Sequence, residues 1–364
     1  MSKVRVGVVG CGAIAQVQHV PNLLELNEVF EVSIVCDVAP GQAEYLARRF
    51  NLDRGVSDID ELLAADVDAV LLCHGDPKTE YAVKAFDAGK HVLIEKPVCF
   101  SLQELDIMLA AQDRAGTIGQ AAYMKAYDPA YEMGRREIES MEFSFVQANH
   151  LHPSNYLHLD HFDVQYVARA PADLVETNRR AVRRCFEESC PDLGDAAEPA
   201  WHMAHGMIHD VYSIRSLVGV PSAVKSAELW KGDRAITVVF EYPNGARCVL
   251  SRVDLEELWD FRQTVEVFGD DKRVLLGCPT GFSRRVLSTL VVQGIDADGT
   301  SYRKEPAIPW ESAFVAELRH FHDCIVNGTP CRTPLEDVRH DVQLITDVTH
   351  CHTTKQPVYQ TIEV

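Results

Sequence analysis

Two histidines four residues apart, His205 and His209, stand in the stretch from Trp201 to Gly219, where apolar residues recur at helical spacing up to a glycine stop. The spacing predicts one helix with both rings on one face, able to address one site. A neutral imidazole takes up a proton near physiological pH, so either ring has the chemistry of a general base. The same spacing suits a metal ion, to which His150, His152, His158 or His161 would add a third ligand. No cysteine or carboxylate spacing supports that use, and no metal is expected. His350 and His352 read as a solvent-exposed helix end.

A second group of residues suits phosphate. Val4 to Val9 is an apolar run that breaks into Gly10 and Gly12 and resumes at helical spacing through Ala13, Ile14 and Ala15, as in a strand, a tight turn and a helix N-terminus. Gly10 allows the turn, Gly12 lets the backbone approach a pyrophosphate, and Ala15 is small enough for the helix to sit against a sheet. About 20 residues on, the run Phe30 to Cys36 ends on Asp37, where a ribose-binding carboxylate belongs. Asp37 would accept from ribose hydroxyls and repel a 2'-phosphate, and Val38-Ala39-Pro40 brings no arginine to neutralise one. NAD is favoured over NADP as the cofactor.

The elements that must position these residues change character along the chain. Strand and helix alternate through the helix Gly41 to Phe50, the helix Asp58 to Ala64, the fourth strand Asp68 to Cys73, the helix Tyr81 to Ala88 and the strand His91 to Ile94, with Ile118 to Ala122 closing a first domain. Ligands bind at the carboxyl ends of such parallel strands. Cys73, His74, Asp76, Glu95 and Lys96 lie there, and with Ala13 and Ile14 they are the further candidate cofactor contacts. Pro97 fixes the backbone after the strand and can follow a cis peptide that would aim Lys96 across the strand end. Beyond residue 122 the period becomes that of strands: Glu142 to Leu151, Ala223 to Trp230, Ala235 to Tyr242, Ala246 to Leu255, Arg262 to Gly269, Lys272 to Cys278 and Ser288 to Ile295. Turns at Pro243 to Gly245, Gly269 to Asp271 and Asp296 to Gly299 join several of them into hairpins, so the sheet should be mostly antiparallel. Ser312 to Asn327 and Leu335 to His350 return to helical spacing.

Size and charge bound the rest. A chain of 364 residues is long for one core, so two domains are expected, 1–122 and 123–364. With 35 basic against 54 acidic side chains the net charge is -19, which repels phosphate backbones and anionic lipid, so neither nucleic acid nor membrane is an expected partner. The eleven cysteines are scattered, Cys36, Cys73 and Cys248 within apolar runs, and none forms a Cys-x-x-Cys pair. They read as buried free thiols. The first apolar run is strand-like rather than leader-like, and the expected location is cytoplasmic.

The run Gly89-Lys-His-Val-Leu-Ile-Glu-Lys-Pro97, following an N-terminal glycine motif and an acidic strand end, resembles the Gfo/Idh/MocA family. The resemblance implies an α/β fold: an N-terminal Rossmann dinucleotide-binding domain, then a C-terminal α+β domain with an open, mostly antiparallel sheet. In that family the open sheet face commonly forms the subunit interface, implying a homo-oligomer, a dimer or tetramer, and the C-terminal helices pack back towards the first domain. The implied activity is an NAD-dependent oxidoreductase taking hydride from a secondary hydroxyl of a sugar, sugar derivative or cyclitol. The alternatives are a redox-neutral epimerase or lyase that returns the hydride to the same substrate, and a non-catalytic dinucleotide-binding sensor.

The family pattern also suggests roles. Counting back from Gly219 places its catalytic histidine at His209 and puts His205 where the family has an aspartate. His209 would take the hydroxyl proton, and Lys96 would stabilise the developing alkoxide. His205 would relay a proton or bind a substrate hydroxyl. In the crossover Tyr123 to Pro129, Ala126 replaces a frequent arginine, so Lys125, with Tyr123, is a candidate substrate contact. Lys78 stands where the family usually has a histidine. The resemblance is weakest between His150 and Pro199, a stretch rich in His, Tyr, Arg and acidic residues, as ligand-facing insertions often are.

Overall fold

A computed structural model describes residues 3–75 and 77–360. The chain divides into two compact units, and neither is continuous. Unit 1 runs up to Tyr123 and takes in Leu159–Ser189 and Phe314–Val342, while unit 2 comprises Met124–His158, Cys190–Ala313 and the chain from Gln343. The division expected from sequence placed everything beyond 122 in one continuous block. What separates the two descriptions is two segments, 159–189 and 314–342, that belong with unit 1.

Unit 1 is built on six parallel strands, β1 (Val4–Val9), β2 (Phe30–Cys36), β3 (Arg54–Val56), β4 (Ala69–Leu72), β5 (His91–Glu95) and β6 (Gly119–Ala122), in the order β3-β2-β1-β4-β5-β6. The order reverses between β1 and β4, and the crevice outside the carboxyl ends there is where doubly wound sheets bind dinucleotides. Every residue of β4 and β6 is buried, because helices cover both faces. Local signals set the helix ends: Ser101 Oγ accepts from Glu104 N at 3.2 Å to cap Leu102–Ala115, and Gly116 ends that helix at a φ of 63°. Val8, Val35, Leu71 and Leu93 of the sheet share one apolar core with Leu318 and Phe321 of the helix Ala313–Asn327.

Unit 2 carries a nine-stranded sheet. Its strands are β7 (Phe145–His152), β8 (Ala223–Trp230), β9 (Ala235–Glu241), β10 (Arg247–Asp254), β11 (Arg262–Phe268), β12 (Lys272–Cys278), β13 (Thr289–Ile295), β14 (Ser301–Lys304) and β15 (Val358–Tyr359). The order is β14-β13-β12-β11-β7-β10-β9-β8-β15, antiparallel throughout except where β7 lies parallel to β10. The hairpins expected from sequence are present, while β14 and β15, too short to show a period, were not anticipated. Burial alternates along β9, β10 and β12, as one covered face requires. Among the described residues, no helix is long and apolar enough to cross a membrane.

The helix expected from Trp201 to Gly219 is two helices, Glu198–Gly206 and Ile208–Val218, broken at Met207. At the break, Arg252 Nη1 of β10 hydrogen-bonds the Gly206 carbonyl. A Cβ on Gly206 would lie 3.0 Å from the Arg252 guanidinium, so glycine leaves room for that side chain to approach. His205 therefore ends one helix and His209 begins the next, so the shared-face argument made from their spacing does not apply.

Candidate active site

In unit 1 the glycine turn opens on a cavity of about 260 Å³. Gly10 has a φ of 93°, and a Cβ on it would sit 2.3 Å from the His74 amide nitrogen, so glycine is obligatory on two grounds. A Cβ on Gly12 would meet nothing within 4 Å, so what this glycine leaves clear is the cavity itself, the space a pyrophosphate needs. Ala15 is fully buried against the core. Ala13 and Ile14 form the first helical residues beyond the turn, and a π-helical turn, Ala15–His19, leads into the helix Val20–Glu25.

Asp37 lies at the end of β2 and in the cavity wall. Its Oδ2 accepts from Cys11 N at 2.7 Å and its Oδ1 from Ala39 N at 2.8 Å. Two backbone amides thus fix the carboxylate beside the glycine turn with acceptor capacity left for hydroxyls. No lysine or arginine lines this cavity among the described residues. Cys73 and His74 line it from the end of β4, and His74 packs at a tilt against Tyr81 with ring centroids 4.4 Å apart. Burial, then the positive charge of Lys78, pushes the His74 pKa down to about 3, so it presents a neutral ring. The Cys73 thiol is held far above its ordinary range by burial. Asp76 lies outside the described residues.

Glu95, a candidate cofactor contact, is turned inward. Its Oε1 lies 2.7 Å from His19 Nε2, and its Oε2 accepts from Lys96 N at 3.0 Å. Burial raises the Glu95 pKa, but the hydrogen bond and charge of His19 with the nearby lysines outweigh it and keep the carboxyl below its ordinary value. Glu95 therefore anchors the backbone that carries Lys96. The Lys96–Pro97 peptide is cis, and buried Lys78 donates from Nζ to the Pro97 carbonyl at 2.9 Å. The residue that stands in for the family's histidine thus holds the turn bearing Lys96. Lys96 itself is half-buried.

In unit 2, His209 is half-buried with Nδ1 3.0 Å from the hydroxyl of Tyr212. The same hydroxyl accepts from Lys125 N at 3.4 Å. Where the phenol oxygen accepts, the His209 proton sits on Nδ1, the tautomer that a general base acting at Nε2 requires. His205 is placed differently. It is buried, meets the Trp201 ring edge-to-face with centroids 4.2 Å apart, and directs Nδ1 to the Trp201 carbonyl at 2.9 Å. Burial pushes its pKa down to about 3, so the ring stays uncharged at neutral pH, with its one proton on Nδ1 towards the Trp201 carbonyl. Tyr123 is also buried, and the ammonium of buried Lys125 is committed to Gln263 Oε1.

That ammonium belongs to a polar chain that the sequence did not reveal. Gln263 donates to Asp210 Oδ1, Asp210 Oδ2 lies 2.8 Å from His150 Nδ1, and His150 Nε2 lies 3.3 Å from His152 Nδ1. Burial raises the Asp210 pKa, but His150, Lys125 and Gln263 together overcome it and keep the carboxylate ionised. Its members are 2 to 138 positions apart in sequence, and only the His-x-His alternation of β7 hinted at it. The Tyr212 contact was open to discovery, because residues three apart on a helix are neighbours. Among the described residues, the one cluster with metal-ligand chemistry is His320, Cys324 and Cys331, in which His320 Nε2 already accepts from Arg332 N at 3.0 Å.

Residues 4–123 match the model of the GFO_IDH_MocA oxidoreductase family, described as an NAD-binding Rossmann fold. The chain is 31% identical over 345 residues to scyllo-inositol 2-dehydrogenase (NAD(+)) of Bacillus subtilis, covering 92% of this chain and 90% of that one. Among solved structures it is similar to aldose-aldose oxidoreductase from Caulobacter crescentus, with a TM-score of 0.73 and 17% identity over 99% of this chain and 100% of that one. It is also similar to a 3-ketoreductase from Actinomadura kijaniata in complex with TDP-benzene and NADP, with a TM-score of 0.68 and 19% identity over 97% and 98% of the two chains. At these identities the two structures speak for the fold.

Proposed function

The chain belongs to the Gfo/Idh/MocA family of NAD(P)-dependent oxidoreductases acting on CH-OH groups, and from that premise we propose that it oxidises a secondary hydroxyl of a sugar, sugar derivative or cyclitol with NAD. The observation that carries the reading is the glycine turn opening on a cavity whose wall includes the fixed carboxylate of Asp37 and, among the described residues, no lysine or arginine. Those residues fit a dinucleotide: Gly10 and Gly12 for the pyrophosphate, Asp37 for the ribose hydroxyls. NAD, when bound, supplies the hydride acceptor.

The chain's own residues handle the proton and the charge. His209 takes the hydroxyl proton at Nε2, with Tyr212 fixing the tautomer from Nδ1. Lys96, on a turn held by Glu95 and Lys78, places an ammonium to stabilise the alkoxide as the proton leaves. His205 supports the helix end rather than relaying a proton. The half-buried apolar residues Val239, Val249, Leu275 and Val291 on the second face of the nine-stranded sheet support a homo-oligomer formed through that face.

The test is a panel of inositols, aldoses and sugar derivatives with NAD or NADP, followed by NADH or NADPH absorbance. At least one cyclitol or sugar should give net reduction of NAD. Substrate conversion without net NADH would mean that hydride returns to the substrate. Tight NAD binding with no turnover of any member would replace the enzyme reading with that of a sensor.

A further inference from the structure

The segment 163–178 belongs to no element of a dinucleotide-binding unit that the sequence pattern anticipates, yet it forms one wall of the cavity. Ala170, Leu174, Val175 and Asn178 face the same space as Gly12 and Asp37. Leu174 to Asn178 are on the first turns of the eighteen-residue helix Ala172–Ser189. The chain before that helix is fastened to the glycine turn by two buried glutamines. Gln16 Nε2 donates to the carbonyls of both Cys11 and Gln165 at 2.8 Å, and Gln165 N donates back to Gln16 Oε1 at 3.0 Å. Gln42 Nε2 donates to the same two carbonyls at 3.1 and 3.0 Å, while Val167 N donates to Gln42 Oε1 at 2.9 Å. Arg49 adds hydrogen bonds from Nη1 to Gln16 Oε1 and to the Asp163 carbonyl.

This arrangement ties the wall to the loop that the pyrophosphate would rest on. Gln16 and Gln42 are 3% and 2% exposed, so breaking their bonds to Gln165 would leave buried amides unsatisfied. The wall they hold brings Ala170, Leu174 and Val175 to the cavity beside the polar Asn178, and Val175 is 54% exposed. An aliphatic side chain so open on a cavity wall is what the plane of a base would cover. The ribose carboxylate Asp37 lies in the same cavity, which puts the wall at the adenosine end.

Resting on the dinucleotide reading above, we infer that segment 163–178 is a strap over the adenosine half of the cofactor, with Leu174 and Val175 packing on adenine and Gln16 and Gln42 holding it shut. Release of the dinucleotide then requires the Gln165 attachments to open, so cofactor exchange is slow. The strap is a binding element built into this chain, separate from the glycine turn and Asp37.

The test measures NADH dissociation by stopped-flow fluorescence, chasing with excess NAD, in the parent, in Gln42→Ala and in the double variant Leu174→Ser/Val175→Ser. The double variant alters partly exposed side chains and serves if loss of the buried glutamine prevents folding. Trypsin cleavage at exposed Arg169 is followed in the unmodified protein with and without NADH. Dissociation at least tenfold faster in the variants, with NADH protecting Arg169, is the expected result. If the parent binds NADH but the variants release it at the parent's rate and Arg169 is cut equally fast with and without it, the strap is overturned and the dinucleotide site stands. If the parent binds neither NADH nor NADPH, the dinucleotide reading falls and takes the strap with it.

Discussion

The hydroxyl of Tyr212 lies 3.0 Å from Nδ1 of His209, three positions on in the same helix. General-base catalysis is worth about 10²- to 10⁴-fold. His209→Ala should therefore lower kcat by that range, while Tyr212→Phe, which leaves the ring but removes its orienting partner, should cost about tenfold or more and displace the pH profile of kcat. An unchanged rate and pH profile in Tyr212→Phe would remove the tyrosine from the mechanism.

Asp37 presents a fixed negative charge in the cavity wall, held by the amides of Cys11 and Ala39. NAD should bind at least tenfold more tightly than NADP, a difference of about 1.4 kcal/mol. Asp37→Ala should erase the preference. Titration of the two cofactors against the parent and the variant decides it, and equal affinities in the parent would count against the ribose role.

Lys96 acts, in this reading, on charge that develops during reaction. Lys96→Met should leave the NAD dissociation constant within about twofold and lower kcat by about two orders of magnitude or more. Separate measurement of cofactor binding and turnover distinguishes this from a loss of folding, which would remove both.

How much of this was legible depends on whether the cause was local. Gly10, Asp37 and the hairpin turns announce themselves because a positive φ, a strand end or a two-fold alternation is written in consecutive residues. The break at Met207 was not legible, because the partner of the Gly206 carbonyl there is Arg252, on a strand more than forty positions away. His205 kept the right spacing for a catalytic face and yet is packed on Trp201, whose carbonyl takes its Nδ1. Gln16 and Gln42 read as ordinary helix residues until Gln165, 149 and 123 positions further on, returns to them. Tertiary partners of this kind override local pattern.

Glu317 supplies a test of the core. It is fully buried, neither carboxyl oxygen has a hydrogen-bond partner among the described residues, and burial followed by the charge of Glu95 raises its pKa well above the carboxylate range. The folded protein keeps a proton there that the unfolded chain releases above about pH 4.3. Stability contributed by this group is complete below that pH and is lost as pH rises towards the folded value, at up to about 1.4 kcal/mol per pH unit. Glu317→Gln should match the parent near pH 4 and exceed it in Tm by a margin that widens towards pH 8. A margin that stays constant with pH would mean that Glu317 is ionised in the fold.

The chain passes from one unit to the other at residues 123, 158, 189, 313 and 342, and the core of unit 1 includes Leu318 and Phe321. During synthesis, the strands of that unit emerge from the ribosome long before the helix that completes their core. The first 123 residues cannot reach their final packing until nearly the whole polypeptide has been made, and until then the apolar surface awaiting Leu318 and Phe321 is exposed. A chain stopped short of residue 314 would keep every glycine, aspartate and lysine assigned to the dinucleotide site yet lack a finished unit to hold them.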